Sequence, residues 1–142
     1  MAKHKEYFRD ADFLQYYVNG KDSVVICKPN PYVGDDGVVQ KLAEKVFNDR
    51  TFSNMLSEFY FHSKFRIPDS QFIGKAVCAI DDDWDYEIGK RLARVRLEEK
   101  AMKLLKRTLE EYAKWNIKTI TPGIKKMSKY FQAMEANDVS KN

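Results

Sequence analysis

I-G-K-A-V-C-A-I (residues 73–80), D-D-D-W-D (81–85) and Y-E-I-G-K-R-L-A-R-V-R (86–96) follow one another without a spacer. The first piece is a short apolar run with β-branched members, the second an acidic turn, and the third the start of a helix rich in cations. A similar layout lies upstream, where S-V-V-I-C-K-P (23–29) leads through N-P-Y-V-G-D-D-G (30–37) into V-V-Q-K-L-A-E-K-V-F (38–47). Two strand-loop-helix units in succession predict an α+β fold.

Working outward, F-L-Q-Y-Y-V (13–18) has strand composition and Asn19-Gly20 is a hairpin turn signal, since both residues tolerate positive φ. Pro29, Pro31, Gly34 and Gly37 mark a loop, and Val38, Val39, Leu42, Val46 and Phe47 recur at helical spacing. The alternation of Phe59, Phe61, Ser63 and Phe65 predicts a half-buried strand over Met55–Phe65, which pairs with a strand over Gln71–Ile80. The expected fold is therefore two ββα units sharing a four-stranded antiparallel sheet packed by helices. The first unit covers residues 1–50 and the second 51–121, with a long basic helix. Ile88, Leu92, Val95, Met102, Leu105, Leu109 and Tyr112 form its apolar stripe. Pro122-Gly123 predicts its end, and residues 122–142 form a short amphipathic helix through Ile124, Met127, Tyr130, Phe131 and Met134, then a tail.

The 142 residues suit one domain, and 44% hydrophobic residues with 32% charged ones exclude a disordered polymer. No apolar run approaches the ~20 residues of a bilayer span, and M-A-K-H-K-E-Y-F-R-D (1–10) lacks a secretory h-region, so an intracellular protein is expected. Cys27 and Cys78 sit at matching places in two apolar runs and read as buried reduced thiols. Asp81, Asp82, Asp83 and Asp85 read as caps for the following helix rather than metal ligands, because they lack the spacing of a calcium loop. Asp35 and Asp36 take the same reading ahead of the first helix. No metal, cofactor or catalytic residue is expected: the glycine-rich phosphate loops and the common nucleophile and zinc signatures are missing. Tyr60 and His62 are the expected exposed pair of an aromatic surface on which bases could stack, with Tyr16, Tyr17 and Tyr32 as possible additions.

Charge carries the functional reading. Residues 1–88 hold 11 Lys and Arg against 15 Asp and Glu, whereas residues 89–142 hold 14 against 6. Arg96, Lys100, Lys103, Arg107 and Lys114 follow at helical steps, with Arg91 and Arg94 beside them, and Lys118, Lys125, Lys126 and Lys129 continue the excess. Arg91, Arg94, Arg96, Lys100, Lys103 and Arg107 are the candidate binding residues, directed at nucleic acid or an acidic protein surface. A third class is a structural or assembly protein in which the long helix pairs with its own copy as a homodimer, and interrupted heptads count against it.

Gly74, Ala76, Cys78, Asp82, Asp83, Asp85, Gly89, Ala93 and Arg96 resemble a strand-to-helix signature of small bacteriophage and prophage proteins. The same run is similar to the end of a bacterial family with a double-stranded-RNA-binding-like fold. It covers about a sixth of the chain, with glycine where backbones pass closely, carboxylates as caps and alanine where helix meets sheet. The resemblance implies a phage-type accessory or inhibitory protein in the bacterial cytoplasm. Such a protein would act without catalysis on a host nucleic-acid enzyme, a CRISPR-type nuclease included.

Overall fold

The computed structural model describes residues 5–9, 13–19, 21, 23–30, 37–77 and 85–140, with side chains described to residue 136. Strands β1 (Leu14–Asn19) and β2 (Val24–Pro29) form the expected hairpin, with Leu14 opposite Pro29 and Asn19 opposite Val24. The Asn19 side chain accepts the Lys21 N–H at 3.1 Å, and Ser23 takes φ 50° to bring the chain back. Helices α1 (Val38–Phe47) and α2 (Arg50–Phe61) follow, then β3 (Gly74–Val77) and α3 (Tyr86–Ser140). β3 adds antiparallel to β2, giving a three-stranded sheet in the order β1-β2-β3. The α+β class and the antiparallel sheet agree with the sequence reading.

Of the expected strand over Met55–Phe65, residues 55–61 belong instead to helix α2 and residues 62–65 form a turn. Ser53, Leu56 and Tyr60 face inward at three- and four-residue steps, so the alternation of phenylalanines was overridden by a helical period sharing the same residues. Two local devices support the switch. Asn48 closes α1 in the left-handed region at φ 49°, and Asp49 caps α2 by accepting the Phe52 N–H at 2.9 Å. The rings of Phe47 and Phe52 then meet edge to face at 5.0 Å, locking the corner. Tyr60 is therefore buried, and its hydroxyl donates to the Ile67 carbonyl and accepts the Ile67 N–H. Tyr60 is thus no partner to His62 in an open stacking surface.

Pro122-Gly123 does not end the long helix. α3 continues through it to Ser140, because the apolar positions on either side, Ile117, Ile120, Ile124 and Met127, keep one phase across the dipeptide. The separate C-terminal helix is thus part of α3. The chain divides into two compact units, Met1–Thr108 and Leu109–Asn142.

In the first unit the inward side of α3 differs from the expected stripe. Ile88 and Leu92 are exposed, whereas Gly89, Ala93, Leu97, Ala101 and Leu105 are buried. The cause is at Gly74. A Cβ there would lie 1.7 Å from the Ala93 carbonyl oxygen and 2.7 Å from the Leu97 nitrogen, so strand backbone rests directly on helix backbone and only small residues fit between. Cys27, on β2 opposite Gly74, is a buried free thiol, while Cys78 lies outside the described residues. The capping role of Asp85 holds: it accepts the N–H groups of Glu87 at 2.9 Å and Ile88 at 3.3 Å. Asp81, Asp82, Asp83, Asp35, Asp36 and Tyr32 lie outside the described residues.

This contact yields a paired test. Gly74→Ala should cost about 3 kcal/mol by overpacking a site that cannot give way. Gly123→Ala, whose Cβ meets nothing within 4 Å, should gain up to about 1 kcal/mol from helix propensity. Urea denaturation of the two variants reads both; a neutral Gly74→Ala would contradict the backbone contact.

Candidate polyanion-binding face of the long helix

The six candidate cations do not share one face. Arg96, Lys100, Lys103 and Arg107 follow at steps of four, three and four, which places them along one exposed side of α3. Arg91 and Arg94 stand on another side and are drawn toward the N-terminal segment. The sequence reading of Arg91 and Arg94 as neighbours of that row therefore needs correction, and the physical reason is Glu6.

Glu6 Oε1 accepts from Arg91 Nε and from an Arg94 guanidinium nitrogen, each at 2.7 Å, and Oε2 accepts from Arg9 Nε at 2.9 Å. Its side chain is only 7% exposed. Burial acts to raise the pKa of this carboxyl. The hydrogen bonds from Arg91 and Arg9, and the charges of Arg91 and Arg94, outweigh burial and hold it down from 4.5 to about 2. One turn further along α3, the fully buried Glu98 accepts the Tyr7 N–H at 2.6 Å and the Phe8 N–H at 3.2 Å. Those bonds satisfy the Tyr7 and Phe8 backbone donors and seat the buried Phe8 ring edge-on to Phe13 at 5.0 Å. Residues 5–9 are thereby clamped to the helix.

Beside this clamp, Tyr16 and Cys27 are cross-strand partners. Burial pushes the Tyr16 hydroxyl up to about 12, with the neighbouring Cys27 adding to it, and burial pushes the Cys27 thiol up to about 11. Both groups are neutral at pH 7, so Cys27 is not a ready nucleophile. Lys90 lies 4.9 Å from the Tyr16 ring centre.

On the other side lie the four remaining candidate cations. Arg96 hydrogen-bonds the Lys75 carbonyl of edge strand β3, and the Arg107 guanidinium lies 4.5 Å from the Phe65 ring centre. Neither contact neutralises a charge, and both hold a guanidinium in a defined place. Lys100 and Lys103 are exposed between them. Among the described residues no carboxylate forms an ion pair with Arg96, Lys100, Lys103 or Arg107. Among the described residues no helix is long and apolar enough to cross a membrane, and no group of three or more His, Cys, Asp or Glu could hold a metal ion.

No family model, curated protein or solved structure matches this chain.

Sequence reasoning missed Glu6 and Glu98, whose partners lie about 90 positions away. The available signal was the apolar pair Tyr7-Phe8 inside a polar run, together with a lone glutamate on the inward side of an amphipathic helix.

Two outcomes follow for stability. Because the folded pKa of Glu6 lies below its ordinary value, its ion pairs stabilise the fold above about pH 4.5, and that contribution drains away as pH falls toward about 2. Glu6→Gln should be less stable than wild type at pH 7 and converge with it by pH 2, read from urea midpoints across that range. Glu98→Ala should cost about 1–3 kcal/mol at pH 7 by removing the acceptor of the buried Phe8 N–H, with Glu98→Gln losing less.

Proposed function

We propose that the chain is a nucleic-acid-binding protein that engages the phosphate backbone, without catalysis, through Arg96, Lys100, Lys103 and Arg107. The observation that carries this reading is an exposed row of four cations with no carboxylate partner among the described residues, two of them pre-positioned by the Lys75 carbonyl and the Phe65 ring. A helix face of this kind attracts phosphates regardless of base sequence. The burial of Tyr60 removes one of the two rings expected for a stacking pair, which favours backbone contact over base stacking.

The phage-type accessory reading uses the same face differently, docking it on an acidic groove of a host nucleic-acid enzyme. The exposed guanidinium groups of Arg96 and Arg107 suit forked pairing with carboxylates as well as with phosphates, which is what favours it.

Titration of a labelled 30-base-pair duplex against salt tests the first reading. Four phosphate contacts give a slope of log K against log salt near −3.6, so affinity should fall about 100-fold between 50 and 200 mM. Lys100→Ala/Lys103→Ala should flatten the slope by about two, and Arg91→Ala, on the other side of the helix, should leave it unchanged. A double variant with the wild-type slope would remove the face from the reading. A nuclease-treated bacterial lysate that still yields one protein, lost in the same double variant, would select the accessory reading instead.

A further inference from the structure

The second unit presents a feature that charge alone does not account for. Ala113, Ile117, Ile120, Ile124, Met127, Phe131 and Met134 follow at alternating steps of four and three, the spacing of a heptad seam. All lie within α3, and the six large ones are strongly exposed, Ile117 at 68%, Ile124 at 60% and Phe131 at 55%. The helix that carries them has an interior Pro122 followed by Gly123. Together these cost about 4 kcal/mol of helix stability, and an unsupported helix has little to set against that.

We infer that residues 113–134 form a coiled-coil seam whose partner is a second copy of this chain, running antiparallel. Three observations select that occupant, none of which draws on the nucleic-acid reading. First, Lys118, Lys125, Lys126 and Lys129 fall on outer positions of the heptad, and Pro122 does too. A second copy therefore meets no row of like charge, and the missing proline N–H faces away from the joint.

Second, the positions flanking the seam are neutral from Asn116 to Tyr130, as Asn116, Thr121, Gly123, Ser128 and Tyr130. Charged flanks occur only at the two ends, Lys114 and Glu135, of opposite sign and equivalent heptad position. With Ile117 opposite Met134, Ile120 opposite Phe131 and Ile124 opposite Met127, this register sets Lys114 of each copy beside Glu135 of the other. A parallel pair would leave both ions without a cross-chain counterpart. Third, the same register sets Gly123 beside Tyr130, so the one flank without a side chain faces the one large flank. Every contact appears twice, as an isologous interface requires.

Sedimentation equilibrium of the full chain tests the pairing, with a mass twice 16.7 kDa expected at micromolar concentration. Ile124→Glu should return it to 16.7 kDa, while the first unit keeps its near-ultraviolet signal, since this residue belongs to the second. Lys114→Glu and Glu135→Lys should each weaken association about two- to tenfold, and their combination should restore it. A monomeric wild type at 100 μM (roughly, a hundred times the micromolar range of such pairs) overturns the inference, as does a dimer unaffected by Ile124→Glu. Three or four copies, or failure of the combined charge exchange to restore binding, overturns the antiparallel pair.

Discussion

At Gly74 the backbone of a strand touches the backbone of a helix. No side chain mediates the contact, since a single methyl would fall 1.7 Å from the Ala93 oxygen. Much else in the first unit follows from that approach. It selects the small residues Ala76, Ala93 and Ala101 for the layer between sheet and helix, and it turns the larger Ile88 and Leu92 outward. It also fixes the rotation of α3 about its own axis. Once that rotation is set, Glu98 must enter the interior and Arg96 must emerge beside the edge strand at the Lys75 carbonyl.

The rotation sorts the cations of this part of the helix into two populations with different physics. Arg91 and Arg94 meet a nearly buried carboxylate, where pairing holds both the arginines and the N-terminal segment in place. Arg96, Lys100, Lys103 and Arg107 face solvent without such a partner. Exposed charges of this kind add little to stability, yet their field acts over about 8–10 Å at ordinary ionic strength. One net excess thus serves folding on one side of the helix and stays exposed to solvent on the other. In the second unit a comparable sorting separates lysines from the apolar seam.

Legibility from sequence followed the range of the interactions. The hairpin over Leu14–Pro29, the start of α1 at Val38 and the Asp85 cap were readable because each depends on residues within a few positions. The segment Met55–Phe65 was misread because its aromatics satisfy a two-residue and a helical period at once. The corner that decides between them, Asn48-Asp49, is a capping signal rather than a periodic one. The stop expected at Pro122-Gly123 weighed local propensity above phase, although the heptad spacing of its neighbours was present in the letters. Of the six candidate binding residues, four share a side and two do not. Steps of three and four along the helix already distinguish them; their opposite fates became visible only with Glu6 in place.

By itself the amino-acid order determined the α+β class, the antiparallel pairing and the strong charge asymmetry, because composition and short-range periodicity encode these directly. Only the tertiary structure decided which cations are consumed and which stay available. That choice depends on a glutamate about 90 positions away and on a helix rotation set by a missing side chain at Gly74, and neither distance nor rotation is written in the local pattern.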